Sequence, residues 1–260
     1  MKRAAERIGV LGTLHTILRR WSDRRSAGVA DDNLPPPRLR SLVGGSADSA
    51  WFVGVGRASA AALRTAAIER GFDLDDPSIA VLDFGCGCGR TSRHWQRPIH
   101  GTDIRPELVA WCQQHLPGVY SVNDPEPPTL YSDASFDVVY AVSVFTHLTV
   151  DRQQQWLAEF ARIIRPGGLL LLTTHGDRSA AENEALRDDE VSEYENGRIV
   201  VCYPREEGSN VCVAYHPAGS LARLTDDFDV ERLSEALGGH DIHALVRRSA
   251  AADATQQAAS

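Results

Sequence analysis

The chain has 260 residues and a formal net charge of −8, and 43% of its residues are hydrophobic. This composition supports one large domain with a buried core, and the acidic balance excludes a general nucleic-acid binder that needs a basic face. Lys2 is the only lysine, which excludes chemistry that depends on a core lysine, such as a Schiff base or a P-loop phosphate clamp.

The five cysteines are odd in number and form no C-x-x-C pair. We therefore expect no disulfide framework, no metal site and a reducing cytoplasm as the location. No apolar stretch approaches the roughly 20 residues that a membrane-spanning helix needs. The sequence leaves open whether the protein is a monomer or a homodimer.

Apolar residues recur at helical spacing over residues 4–24 and predict one amphipathic helix. The favoured interpretation is a helix packed on the main body. Weak contact with a membrane surface is the alternative, although a dense basic face is missing. Three prolines at 35–37 end the run and indicate a linker. We assign residues 1–48 to this helix and linker, 49–249 to the main domain, and 250–260 to a flexible tail.

Predicted strands and helices alternate from about residue 58 to 174, which is typical of a doubly wound α/β fold with a mostly parallel sheet. The elements in this part are helices at 58–71, 106–115 and 151–164, and strands at 79–84, 99–103, 119–123, 136–142 and 169–173. The later elements are a hairpin formed by 198–203 and 210–216, a short helix at 217–224, and an antiparallel pair formed by 228–233 and 241–247. We interpret residues 177–216 as an insertion on the substrate side of the sheet.

The first strand runs into alternating glycines, in the segment Asp83-Phe84-Gly85-Cys86-Gly87-Cys88-Gly89. Glycines allow a tight turn and a close approach of the backbone to a ligand, and we expect a helix to begin directly after them. Asp103 ends the next predicted strand, where a carboxylate can accept hydrogen bonds from both hydroxyls of a ribose.

The spacing of these glycines distinguishes between nucleotide cofactors. A dinucleotide fingerprint reads G-x-G-x-x-G, whereas this loop reads G-x-G-x-G with Asp83 two residues in front. An acidic residue there suits a ligand with a cationic ammonium and repels a pyrophosphate. The pattern therefore disfavours NAD.

In this register the sequence resembles the class I S-adenosylmethionine-dependent methyltransferases. The similarity rests on four segments in the family's order, namely residues 83–89, Gly101-Thr102-Asp103-Ile104, Ser135-Phe136-Asp137-Val138-Val139-Tyr140 and Arg165-Pro166-Gly167-Gly168-Leu169-Leu170-Leu171. The resemblance implies S-adenosylmethionine as the cofactor and a methyltransferase domain over 49–249. It also implies a seven-stranded, mostly parallel sheet with helices on both faces and an antiparallel last strand at 241–247.

The resemblance further implies a set of cofactor-binding residues. They are Asp83, Gly85, Cys86, Gly87, Gly89, Asp103, Ile104, Asn123, Asp124 and Ser143. In this set Asp103 is the implied ribose ligand, and Asn123 or Asp124 would lie near the adenine. Ser143 opens Ser-Val-Phe-Thr-His-Leu, a segment that a subset of these enzymes carries after the fourth strand. Arg90 has two interpretations, a contact to the methionine carboxylate or a solvated residue of the first helical turn.

Methyl transfer from a sulfonium is a direct displacement, so alignment of the two substrates can account for about 7–11 kcal/mol of the barrier. An O–H or N–H acceptor must lose a proton, which a histidine can accept near pH 7. His147 follows the fourth predicted strand and His175 the fifth, at the sheet edge where such folds bind ligands. We predict both as catalytic. The alternatives are that His147 caps a helix or holds a loop, and that His175 is an ordinary loop residue.

The acceptor is predicted by elimination. The insertion shows no aromatic and basic platform for nucleic acid, so we expect a small molecule, such as a sugar or a secondary metabolite. Two other functions stay open. One is an NAD(P)-dependent oxidoreductase, which the glycine spacing disfavours. The other is a non-catalytic module that binds S-adenosylmethionine and acts through its N-terminal helix.

Overall fold

The computed structural model describes residues 33–183, 186–237 and 239–249. The amphipathic helix predicted at 4–24 and the tail predicted at 250–260 lie outside these residues.

The described part of the chain forms a nine-stranded sheet. Its strands are β1 (Val81–Phe84), β2 (Ile99–Asp103), β3 (Gly118–Val122), β4 (Phe136–Ala141), β5 (Ile164–His175), β6 (Val200–Cys202), β7 (Val213–Tyr215), β8 (Phe228–Leu237) and β9 (His240–Arg247). Strands β3-β2-β1-β4-β5 pair in parallel in that order, and β9 lies antiparallel between β5 and β8. The doubly wound fold and its antiparallel last strand are therefore confirmed.

The strand count exceeds the expected seven because the insertion contributes two short strands of its own. β6 and β7 form the predicted antiparallel hairpin. The hairpin joins the sheet through a single residue pair, His175 with Tyr215, at the end of β5. It therefore extends the sheet at its carboxyl edge.

Six helices accompany the sheet in the described residues. They are α1 (Pro37–Gly44), α2 (Ser49–Ile68), α3 (Pro106–His115), α4 (Val150–Ile163), α5 (Asp177–Ala181) and α6 (Asp188–Glu195). The prediction for α3 has the observed bounds, and that for α4 is shifted by one residue. α2 begins nine residues before the predicted start because the Asp48 carboxylate accepts a hydrogen bond from Trp51 N at 2.6 Å, which caps the helix. The short helix predicted at 217–224 is a 3-10 turn at Leu221–Leu224.

The apolar run of β4 predicts that both faces of the sheet are covered. In the structure every residue of that strand is buried, so both faces are covered. On one face α4 packs Trp156 and Phe160 against Phe84. On the other face α2 packs Leu63 and Ala67 against the same sheet. The core thus lies in two layers, one on each face of the sheet. These two helices do not occupy the ends of the strands, where a ligand-binding site can form.

The expectation of a helix directly after the glycine loop is wrong. In the described structure the nine residues between Gly89 and β2 hold one 3-10 turn, Ser92–His94. α2 packs on this connection so closely that a Cβ atom on Gly56 would lie 2.0 Å from the Arg90 carbonyl oxygen. The close packing of α2 therefore leaves little room for an α-helix in this connection.

The segment interpreted as a linker includes α1. Pro37 occupies the first turn of this helix, where the missing N–H of proline costs no hydrogen bond. The buried Arg40 guanidinium donates to the carbonyl oxygens of Ala47 and Pro35 and so joins both ends of the segment. Leu42 and Val43 pack against a buried cluster that includes Cys88 and Leu108, and these contacts fix α1 to the body of the protein.

Candidate active site

A cavity of about 230 Å³ opens at the carboxyl edge of β1, β2 and β4. In doubly wound folds this edge is the usual place for a ligand. The predicted residues that line the cavity are Asp83, Gly85, Cys86, Gly87, Asp103, Ile104, Asn123, Ser143 and His147. Residues far apart in the sequence thus meet at one edge because each lies at the carboxyl end of a parallel strand or shortly after it.

The glycine loop forms one wall of the cavity and depends on the absence of side chains. Gly85 and Gly87 have φ angles of +75° and +56°, in the left-handed region that L-residues rarely adopt. A Cβ atom on Gly87 would lie 2.7 Å from Val43 Cγ2, and one on Gly85 would lie 2.4 Å from Val144 Cγ2. Larger residues would therefore strain the loop and fill the cavity.

Asp103 holds the glycine loop against the end of β2. Its Oδ2 atom accepts a hydrogen bond from Gly87 N at 2.9 Å, and Oδ1 accepts one from Arg105 N at 2.9 Å. Burial raises the pKa of this carboxyl group above its ordinary value. Since each carboxylate oxygen can accept more than one hydrogen bond, Asp103 can also accept from ligand hydroxyls.

Asp83 ends up almost fully buried beside the cavity, with 3% of its surface exposed. The Ser92 hydroxyl donates a hydrogen bond to it. Burial raises the pKa of Asp83 to about 7, although hydrogen bonds from Ser92 and Tyr140 act in the opposite direction. A cation in the cavity would favour the charged carboxylate.

Arg90 brings a buried positive charge to the same cavity. Its guanidinium lies over the Trp51 ring, 5.6 Å from the ring centroid. Among the described residues its Nε atom has no hydrogen-bond partner, and burial lowers the pKa of the group. Because a buried donor without a partner is costly, the arrangement fits a ligand that carries both a carboxylate and a cationic centre.

His147 lies on a 3-10 turn after β4 and lines the cavity. Its Nδ1 atom is 2.7 Å from the carbonyl oxygen of Cys212. A carbonyl only accepts, so Nδ1 carries the proton and the neutral ring has its lone pair on Nε2. Burial lowers the pKa of His147 below its ordinary value, which keeps the ring neutral near pH 7. The residue therefore both holds a loop and faces the cavity.

His175 does not line the cavity. β5 continues two residues beyond its predicted end and carries this side chain to the β6–β7 hairpin. There the ring packs 4.4 Å from His240 and 5.7 Å from Tyr215, measured between ring centroids. Burial lowers the pKa of His175 to about 4. Because β5 extends two residues further than the local sequence predicts, His175 lies away from the site.

Two predicted cofactor residues also lie outside the cavity lining. A Cβ atom on Gly89 would lie 2.2 Å from Leu116 Cδ1, so this glycine faces α3 and its following residue. Asp124 is exposed to solvent. At the end of β3 it is Asn123 that turns inward, where its Oδ1 accepts a hydrogen bond from Thr102 Oγ1 at 2.8 Å.

Two segments in which the sequence analysis predicted no lining residue cover the cavity. α1 supplies Leu42 and Val43, and the insertion supplies Glu207, Gly208 and Asn210. The two segments meet where Asn210 Nδ2 donates to the Leu42 carbonyl oxygen at 3.3 Å. No local pattern marks these residues, because their place depends on packing between distant parts of the chain.

The described residues include all five cysteines, and each is a free thiol. Within the same residues no group of three or more His, Cys, Asp or Glu side chains is placed to hold a metal ion. The helices found there are too short or too polar to cross a bilayer.

Residues 82–172 match the family model described as a methyltransferase domain. The malonyl-[acyl-carrier protein] O-methyltransferase of Pectobacterium atrosepticum is 34% identical over 111 residues, which are 40% of this chain and 42% of that protein. A protein of the same name from Serratia marcescens is 29% identical over 196 residues, or 70% of this chain and 71% of that protein. Across three curated relatives the chain spans 36% to 42% of their length.

The fold is shared with the crystal structure of the Burkholderia thailandensis 1,6-didemethyltoxoflavin-N1-methyltransferase. The TM-score is 0.52 at 18% sequence identity, and the match covers 83% of this chain and 92% of that one. For the domain that includes residues 82–172, the resemblance to the class I S-adenosylmethionine-dependent methyltransferases is therefore confirmed.

Proposed function

We propose that the protein transfers the methyl group of S-adenosylmethionine to an oxygen or nitrogen atom of a small molecule, with His147 as the general base. One observation carries the proposal. The same cavity holds buried groups of both charges and a neutral histidine with its Nε2 lone pair available.

The cavity residues fit the chemical groups of the cofactor. Asp103 would accept hydrogen bonds from the ribose hydroxyls, and Asn123 would lie near the adenine. Asp83 would face the ammonium group, and Arg90 the carboxylate of the methionine part. When bound, the sulfonium supplies an electrophilic methyl group attached to a good leaving group.

His147 would remove the proton that the acceptor loses. Nε2 would take the acceptor's proton while the methyl group passes to the acceptor atom and the sulfur departs as the leaving group. The Cys212 carbonyl stabilises the imidazolium that results, because it already accepts the Nδ1 hydrogen bond. Alignment by the cavity walls supplies the rest of the rate enhancement.

The small size of the acceptor is inferred from the cover. α1 and the loop with Gly208 and Asn210 meet over the cavity, and this cover favours an acceptor small enough to enter beneath it. The names of the relatives refer to O-methylation of a malonyl carrier protein and N1-methylation of a toxoflavin precursor. They support transfer to O or N but do not select one acceptor.

The test is incubation of the full chain with methyl-labelled S-adenosylmethionine and a metabolite extract, followed by mass analysis. We expect one labelled small molecule from the unaltered protein and none from Asp103→Ala, which also loses calorimetric binding. His147→Asn keeps an N–H donor near the Nδ1 position and removes Nε2. It should bind the cofactor with unchanged affinity and transfer at least about a hundredfold more slowly.

Three results would contradict the proposal. They are absence of cofactor binding, binding with no transfer to any component of the extract, and full activity of His147→Asn. The second result would identify a non-catalytic binding module.

A further inference from the structure

One loop of the insertion, residues 203–212 between β6 and β7, is joined to the segment that carries His147. Gly208 N donates to the His147 carbonyl oxygen at 2.9 Å, and His147 Nδ1 donates to the Cys212 carbonyl at 2.7 Å. Thr149 N donates to Glu207 Oε1 at 2.7 Å. Hydrogen bonds to this loop therefore hold the His147 backbone, the His147 ring and the nearby Thr149.

Glu207 is the charged member of this set. Its Oε1 atom accepts from both the backbone N and the hydroxyl of Thr149, the latter at 2.6 Å, and Arg152 Nε lies 3.4 Å from Oε2. Thr149 is the N-cap of α4, where the helix dipole favours a negative charge. Hydrogen bonds to an ionised group are stronger than neutral ones, so Glu207 fixes the loop firmly to the start of α4.

The rest of the loop has little apolar packing to hold it. The side chains of Tyr203 and Val211 are 54% and 53% exposed, and Asn210 is exposed as well. Tyr203 also has a φ angle of +54°, an unfavourable conformation for a tyrosine. Cys212 is fully buried and anchors the downstream end. The exposed part of the loop, which leads to the Cys212 carbonyl, is therefore held by Glu207 and by the hydrogen bond from Gly208 N to the His147 carbonyl.

We propose that Glu207 is a positioning residue for methyl transfer. By fixing the loop to α4, it keeps the Cys212 carbonyl aligned with Nδ1 of His147, so that the lone pair stays on Nε2 toward the cavity. The inference rests on the proposed role of His147 as the base. It assigns to the insertion a part in proton transfer, in addition to any contact with the acceptor.

The test measures the tautomer of His147 directly and needs no acceptor. Full-length protein labelled with ¹⁵N-histidine is examined by long-range ¹H–¹⁵N correlation near pH 7.5, and His147→Asn identifies the signals. In the unaltered chain we expect the Nδ1–H tautomer alone. In Glu207→Ala we expect both tautomers, each above about one tenth of the population, because the aligning carbonyl is released.

Two matched variants separate positioning from other effects. Glu207→Gln keeps an Oε1 acceptor for both Thr149 donors and should restore the single tautomer. Glu206→Ala changes the adjacent, exposed glutamate and should leave the spectrum unchanged. If the alanine variant fails to fold, as judged by near-ultraviolet circular dichroism, Glu207→Asp keeps the charge but shortens its reach and serves as the same test.

An unchanged Nδ1–H signal in folded Glu207→Ala and Glu207→Asp overturns the proposal, even if those variants lose activity. This outcome differs from failure of the proposed function. In that case the unaltered protein would transfer no methyl group, but the His147 spectrum would still change in the Glu207 variants.

Discussion

The buried carboxyl group of Asp83 predicts that cofactor binding depends on pH. In the free protein burial raises the pKa of Asp83 to about 7, so at pH 6 the group is protonated in about nine of ten molecules. The ammonium group of S-adenosylmethionine would favour the carboxylate and return its pKa toward the ordinary value. Binding should therefore release a proton at any pH below about 7.

The size of the effect follows from the same pKa. Affinity should be about tenfold lower at pH 6 than at pH 8, and should fall about a further tenfold at pH 5. Each factor of ten corresponds to about 1.4 kcal/mol of binding free energy. Above about pH 7.5 the affinity should level off, because the carboxyl group is already ionised in the free protein.

Isothermal titration calorimetry in two buffers of different ionisation enthalpy measures both the affinity for the cofactor and the number of protons released on binding. We expect about 0.9 protons released per cofactor bound at pH 6 and about 0.1 at pH 8. In Asp83→Asn the affinity should be lower and independent of pH over this range. Equal affinities at pH 6 and pH 8 in the unaltered protein, or no proton release at pH 6, would refute the reasoning.

Three further predictions concern two residues of the cavity walls, Gly87 and Arg90, and one residue outside the cavity, His175. Gly87→Val should lose measurable calorimetric binding of the cofactor, since its side chain would meet Val43; Gly45→Ala is the control, because it also has a positive φ angle but open space around it. Retained binding by Gly87→Val would contradict the placement of the loop. Arg90→Gln should weaken binding of S-adenosylhomocysteine by about 10- to 100-fold, as expected for a hydrogen bond to a charged group, and leave adenosine binding within about twofold; equal losses for both ligands would show that it does not contact the carboxylate. His175→Asn should keep the transfer rate within about twofold, because its ring lies outside the cavity; a hundredfold loss would show that it is catalytic.

The parts of the fold that could be predicted are those with a strong local pattern. The apolar runs of β1 and β4 and the proline at the start of α3 mark these elements directly. Asp83 and Asp103 could be placed in one site because both lie near the carboxyl ends of parallel strands, which meet at a common edge.

The rest of the site depends on contacts between distant segments. The glycine loop looks locally like the start of a helix, but α2 packs on the connection through Gly56 and covers it. α1 begins with proline after a proline run, which is equally typical of a linker. The place of His175 depends on two additional residues of strand pairing with β9. Such differences arise from tertiary packing, which a local pattern does not record.

The two segments that cover the cavity are each held by other parts of the protein, and they contact each other only weakly. α1 is secured by the buried Arg40 and by apolar contacts of Leu42 and Val43, whereas the loop meets it through one exposed hydrogen bond from Asn210. A neutral hydrogen bond contributes only about 1 kcal/mol, so the contact between α1 and the loop adds little to the stability of the cover. The same loop carries the carbonyl that orients His147. A change that displaces the loop would therefore alter both the cover of the cavity and the orientation of the proposed base.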